Sequence, residues 1–264
     1  MLYRHNLAEV ERLFHRQTGR YEATMNSHTA RRAVYALYGL AGAVLLLGLA
    51  LGKRDERNVN RIPRPVRMLS SALVLACALL LWRGEPRGDR RASARLVAAG
   101  MAGGTLGDLI MAEVIPLPEH VLFGMLSFGA GHALYIQALL RRARAEAKRA
   151  ARARIPALGT AWGVALVGWW LLVRNPKIGP ALNYGALVYA LLLASMDGLA
   201  GALAVQDRRY APVALGGALF LISDMVLASR LFRGTHFAQI GDVVWMTYIA
   251  GQALIVGGMG LVET

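Results

Sequence analysis

Cysteine occurs once in this 264-residue chain, at Cys77 inside an apolar run. A disulfide within the chain is therefore excluded, and the thiol reads as a packing group. Acidic residues are few, 16 against 30 Lys and Arg, for a formal net charge of +14. Histidine is scarce as well, with 6 residues. Only His132 falls deep in an apolar run; His5, His15, His28, His120 and His236 lie in the N-terminal tail or near run ends. Zinc hydrolases draw on about three protein ligands, commonly several of them histidine. No metal and no other cofactor is therefore expected, with a two-Asp, one-His site as the alternative. The chain also lacks a G-x-S-x-G nucleophile elbow. Ser127 and Ser223 fall in suitable runs, but a hydroxyl in a helix usually bonds to a backbone carbonyl. No internal repeat argues for an inverted-repeat transporter.

What the chain has in quantity is apolar sequence. The hydrophobic fraction is 56% and the mean hydropathy +0.41, in spite of the charges. The charges cluster between long apolar runs, the pattern of a multi-pass membrane protein with polar loops. Residues 33–52 carry no charge, and about 20 such residues cross ~30 Å of hydrocarbon. The basic excess then belongs to span flanks facing anionic headgroups, and no nucleic-acid partner is expected. No cleavable signal peptide is expected either. The first apolar run follows a long charged segment and is too long for a typical signal core.

The reading is an all-α polytopic transmembrane bundle of about eight helices, preceded by an N-terminal amphipathic segment. In residues 1–28, Leu7, Val10, Leu13 and Phe14 recur at helical spacing among charged residues, which suits a helix lying on the membrane or on the bundle. Residues 29–264 form the transmembrane domain. Its expected spans are 31–52, 65–82, 93–115, 119–140, 156–173, 181–205, 211–233 and 238–262. Pro65, Pro156 and Pro212 stand at or near span starts, where proline costs little. Pro116-Leu117-Pro118 makes a tight turn between the third and fourth helices. The N-terminus and the loops after spans two, four and six hold about 20 Lys and Arg, and the other side about 10. That bias predicts an integral protein of the plasma membrane, the inner membrane of a bacterium, with both termini cytoplasmic. The basic loop Lys53–Arg67 runs against it. Gly100, Gly103, Gly104 and Gly107 form small-xxx-small pairs for close helix packing.

Five polar side chains lie within the spans: Asp108, His132, Asp224, Tyr248 and Gln252. A carboxylate in a transmembrane helix costs ~3 kcal/mol on insertion scales, so two of them ask for a use. At 1.5 Å per residue all five fall in one layer roughly 10–20 Å deep. Tyr248 and Gln252 share a helix face, as do His132 and Tyr135. The expectation is one cavity between helices three, four, seven and eight, lined by all five. Singly, His132, Tyr248 and Gln252 also read as interhelical hydrogen-bonding groups. Asp197 lies deeper and nearer the opposite face. Glu113 and Asp242 lie near span ends, within reach of water. These three are secondary candidates.

Ordered motifs run through the spans. Arg64-Pro65 opens span two and Gly107-Asp108 lies in span three. Span four carries Phe128-Gly129-Ala130-Gly131-His132-Ala133-Leu134-Tyr135. Span seven carries Gly217-Ala218-Leu219-Phe220-Leu221-Ile222-Ser223-Asp224, and span eight Tyr248-Ile249-Ala250-Gly251-Gln252-Ala253-Leu254-Ile255. Over about residues 33–260 this set resembles the YhhN family of multi-pass proteins, whose characterised animal members are lysoplasmalogenases. There are three departures. The family commonly has Lys where this chain has Arg64, which keeps the charge. The first 28 residues look like an addition. Asp197 is not part of the family pattern.

The resemblance implies hydrolysis of the vinyl-ether bond of a lysoplasmalogen, with water and membrane lipids as the other partners. The products are a fatty aldehyde and a glycerophospho-ethanolamine or -choline. Such chemistry starts with a proton delivered to carbon by a carboxylic acid, opposite a group that steadies the resulting oxocarbenium ion. Two carboxyl groups in a low-dielectric chamber can divide these roles. Asp108 and Asp224 would be the pair, in either order. His132, Tyr248 and Gln252 would complete the catalytic set, Arg64 would meet the phosphate, and Tyr135 and Ser223 would contact substrate. The alternatives are a lipid or proton-coupled transporter and a non-catalytic lipid-binding protein built on the same chamber.

Overall fold

The computed structural model describes residues 32–54, 59–86, 88–145 and 150–261. The amphipathic segment expected over residues 1–28 lies outside them. The described chain forms eight long helices: α1 Arg32–Ala50, α2 Arg64–Gly84, α3 Asp89–Met111, α4 His120–Ala145, α5 Ala150–Gly168, α6 Pro180–Gln206, α7 Ala211–Arg233 and α8 Ile240–Leu261. The last turn of α5 widens into a π-helical segment, Trp169–Val173. Seven of the helices are long and apolar enough to cross a membrane. The exception is α3, which opens on Asp89-Arg90-Arg91 and is rich in Gly and Ala. It needs little apolar surface, because it packs against α2, α4 and α8. Lipid is faced instead by side chains such as Leu46, Leu126, Trp162, Val167 and Ile222.

Backbone contact sets the tightest packing. A Cβ placed on Gly131 of α4 would lie 2.7 Å from the Gly100 carbonyl oxygen of α3. Between α7 and α8 the contact is reciprocal: a Cβ on Gly216 or on Gly251 would lie 2.7 Å from the other's carbonyl oxygen. In lipid, where neighbouring helices gain no hydrophobic drive to associate, such small-residue contacts supply the dispersion energy that joins them. α1 is fastened to α8 by the Tyr38 hydroxyl, which donates to the Ala253 carbonyl at 3.2 Å. Cys77 is buried in the core, as its apolar setting predicted.

The ends of the helices show what periodicity did not. α5 begins at Ala150, so Pro156 is inside the helix. The membrane-length part starts at Arg154, which still leaves Pro156 in its first turn. Lys53–Arg54 and Asn60–Arg61 pair as two short antiparallel strands, β1 and β2. Asp242 at the start of α8 latches this hairpin. It accepts from the Ile62 backbone N–H at 2.9 Å and from Asn60 Nδ2 at 2.6 Å. α3 ends in a Schellman turn. Glu113 N–H donates to the Ile110 carbonyl and Val114 N–H to that of Leu109, both at 2.9 Å. Glu113 has φ 53°, in the left-handed region where glycine is usual.

Replacing Gly251 by Val should force α7 and α8 apart and lower stability by about 1–3 kcal/mol. Gly163, with nothing within 4 Å of a Cβ, is the control. Gly163→Ala should leave stability unchanged or raise it by up to ~1 kcal/mol. Thermal unfolding of the two purified variants in one detergent checks the contrast.

Candidate functional site

Asp108 lies in the last turn of α3 and is buried. An unpaired carboxylate in hydrocarbon would be costly, and here its Oδ2 accepts two hydrogen bonds. Ser71 Oγ of α2 donates at 2.5 Å and the Tyr248 hydroxyl of α8 at 2.8 Å. Gln252 Nε2, one turn along α8, donates to the Tyr248 oxygen at 3.4 Å. Gln252 Oε1 in turn accepts from the Tyr135 hydroxyl at 2.8 Å. A chain of polar groups therefore runs from α4 through α8 to α3 and α2. Gly104 makes room for it, since a Cβ there would lie 2.6 Å from Gln252 Nε2.

Asp224, in the second half of α7, has a separate set of partners. Tyr189 of α6 donates its hydroxyl to Asp224 Oδ2 at 2.5 Å. His132 Nε2 lies 3.5 Å from the same hydroxyl. The His132 ring packs edge-on to Phe220 at 4.7 Å, and its Nδ1 is buried with no hydrogen-bond partner. Phe128, Phe220 and Tyr248 form a cluster of edge-to-face contacts, with centroids 5.1 to 6.4 Å apart.

Two cavities meet at this cluster. The polar one, of about 260 Å³, is lined by Asp108, Ser223, Asp224 and Tyr248, and towards the helix ends by Arg61, Arg64, Arg67, Arg230, His120 and Glu113. Arg67 stacks over Trp245 at 5.7 Å, and Trp245 Nε1 donates to Ser70 Oγ at 3.2 Å. The second cavity, of about 100 Å³, is apolar. Val164, Trp169, Ala190, Leu193 and Met225 are among its walls. Both cavities are bordered by Met111, Val121, Phe128, Asp224, Leu227 and Leu231. Asp224 is thus the carboxylate at the junction between a cation-rimmed chamber and a greasy one.

Of the five residues expected to line one cavity, Asp108, Asp224 and Tyr248 do so. His132 and Gln252 do not. They are each 1% exposed; His132 meets Tyr189, which borders the apolar cavity, and Gln252 meets Tyr248, which borders the polar one. Tyr135, expected at the substrate, is buried against Gln252 and borders neither cavity. Depth along a helix does not fix which way a side chain faces, and packing turned these three inward. Arg64 and Ser223 line the polar cavity. The Ser223 hydroxyl donates to the Val244 carbonyl of α8 at 2.8 Å, and Ser127 likewise to Gly103 of α3. Those hydroxyls join helices instead of presenting nucleophiles. Glu113 is at the cavity mouth, whereas Asp197 lies apart against Gly217. Among the described residues no three His, Cys, Asp or Glu side chains converge as ligands for a metal. The two-Asp, one-His constellation is therefore not assembled.

Sequence reasoning missed Ser71, Tyr189 and Arg67. Tyr189 interrupts a run of small and aliphatic residues, the one available signal. Ser71 and Arg67 stand near the start of α2, where polar residues are ordinary.

These features define a polytopic helical membrane protein with two carboxyl groups in an internal, arginine-rimmed chamber. Residues 65–259 match the model of the YhhN family, and the chain belongs to that family. Comparisons with curated proteins and with solved structures return no match.

Tyr248→Phe deprives Asp108 and Gln252 of a shared partner and should lower stability by about 1–3 kcal/mol. Tyr184, exposed on α6, supplies the control: Tyr184→Phe should unfold at the wild-type temperature. Equal melting of all three proteins would contradict the assigned network.

Proposed function

We propose that this protein is an intramembrane hydrolase that cleaves the vinyl-ether bond of lysoplasmalogens. The observation that carries the reading is Asp224 at the junction of a cation-rimmed cavity and an apolar one. A single-chain ether lysolipid has the same division. Its phosphate suits Arg64, Arg67 and their neighbours, its alkyl chain suits the apolar walls, and its vinyl ether lies at the boundary between the two. Family membership supports the same class of reaction.

The geometry favours a division of labour between the carboxyl groups. Asp224 borders the apolar cavity and is proposed as the acid. It donates a proton to the vinyl carbon remote from oxygen, leaving an oxocarbenium ion. Asp108 faces the same chamber with two hydroxyl donors on one oxygen, an arrangement suited to a negative charge opposite that cation. Water adds to the carbon bonded to oxygen and gives up a proton, restoring the acid. The hemiacetal then collapses: its hydroxyl proton leaves, the ether oxygen is protonated, and the glycerol alcohol and fatty aldehyde separate. One water is consumed and no oxidant or reductant is needed. Tyr189 and His132 hold Asp224; Tyr248 and Gln252 hold Asp108.

A transporter would need a polar route onward to the opposite face. The chamber is instead backed by the Tyr135–Gln252 pair and by Met101, which is fully buried. This favours a closed reaction chamber.

Asp108→Asn and Asp224→Asn are each expected to lower kcat by about 10²–10⁴-fold while keeping the fold, since Asn preserves size but neither donates an acidic proton nor bears charge. The double variant should be scarcely slower than the worse single one. Aldehyde release from lysoplasmalogen, with a saturated ether lysolipid as control, provides the assay. Near-wild-type kcat in either single variant would remove that aspartate from the mechanism. Cleavage should also persist after treatment with a strong chelator. Loss on chelation with recovery on adding zinc would replace this mechanism with a metal-dependent one.

A further inference from the structure

At the end of the bundle opposite the candidate site, the first turns of α3 and the last turns of α4 enclose a groove of about 810 Å³, within the usual range for a ligand site. It is lined by Arg90, Arg141, Arg142 and Arg144, with Ser93 and Gln137 between them and Asp89 at the edge. Two of these arginines have acidic partners: Arg90 lies 3.3 Å from Glu85, and Arg141 lies 3.9 Å from Asp89. Arg142 and Arg144 have none among the described residues.

Arg142 is the unusual member. It is only 9% exposed, its Nε has no hydrogen-bond partner, and its Nη2 reaches the Met259 carbonyl at the long distance of 3.5 Å. A guanidinium carries five N–H donors, and burying them without acceptors is costly. One bland account is that the arginines merely neutralise the carbonyl end of α4. It explains exposed Arg144, but not a buried guanidinium whose one bond is at the limit of length. The first turn of α3 also borders the groove, and its Gly88 cap supplies no side-chain acceptor for the free N–H groups. Guanidinium forks and a helix N-terminus together suit a phosphate group.

We propose that this groove binds a phosphate group at the membrane interface, most simply that of an anionic phospholipid headgroup. Bound there, the phosphate bridges α3 and α4, the helices that carry Asp108 and His132. The site is separate from the hydrolytic chamber and does not depend on the activity assigned to it.

The test uses the purified full chain in neutral detergent, with thermal unfolding and native mass spectrometry as readouts. Short-chain phosphatidylglycerol, phosphatidylcholine and inorganic phosphate are titrated separately. The same titrations on Arg64→Gln separate this groove from phosphate held in the chamber. Phosphatidylglycerol is expected to bind and stabilise both proteins, with affinity about tenfold or more weaker in Arg142→Gln. Arg144→Gln, an exposed change that leaves the core intact, should weaken it too and serves if Arg142→Gln fails to fold. Arg83→Gln, on the same face but outside the groove, should bind as wild type. Equal response to inorganic phosphate would support the phosphate site and identify a soluble ligand as sufficient. No preference over phosphatidylcholine would overturn the anionic headgroup as ligand, and equal loss in Arg83→Gln would overturn the site itself in favour of diffuse attraction at the interface.

Discussion

Two backbone contacts, Gly100 against Gly131 and Gly216 against Gly251, set the spacing on which the rest of the interior depends. Any side chain at these points would separate the helices and lengthen the hydrogen bonds that span them. Across these pairs Ser127 donates to the Gly103 carbonyl and Ser223 to that of Val244, and the same pairs carry Asp108 and Asp224, whose partners come from α2 and α8 and from α6. A bond of 2.5 to 2.8 Å tolerates little separation before it fails. In hydrocarbon no water takes the place of a lost partner. The glycines and the carboxyl groups are therefore one design: close helices make buried polarity affordable, and buried polarity fixes which faces meet.

The β hairpin belongs to the same logic. Two paired residues per strand form no stable unit alone. Asp242 holds the turn into α2 from α8, and the arginines that follow are thereby aimed at the chamber. Three basic residues of the loop that ran against the charge bias have this place. Arg61, Arg64 and Arg67 face a cavity in the protein, so their presence need not report membrane orientation.

The helices were legible because a span needs about 20 apolar residues, and loops full of Arg and Pro separate such runs sharply. α3 was legible in length but not in role, since a helix enclosed by others sheds the hydropathy that marks a span. The hairpin was hidden because its latch is 180 residues away in sequence. The start of α5 was hidden because Ala and Arg favour helix well beyond the membrane. In the site, Asp108 and Asp224 stood out through the cost of their burial. Ser71 and Tyr189 did not, because hydroxyls in spans are common and only packing decides what they face. His132, Gln252 and Tyr135 show the limit of a depth argument, which supplies one coordinate of three.

The two carboxyl groups differ in their surroundings more than in depth. Asp108 is closed in by hydroxyls from two helices and backed by an amide, with Arg67 lining the same chamber. Asp224 has a single phenol and an apolar neighbour on one side. Phe128 and Phe220, with the face of Tyr248, lie among the side chains of the cavity that both carboxyl groups border. Their rings exclude water from much of the wall without supplying a competing acceptor. An amphiphile entering such a space would turn its polar end to the arginines and its chain to Trp169 and Leu193. The atoms joining its two ends would then lie beside Asp224, because that residue borders both environments. Such placement would follow from solvation alone.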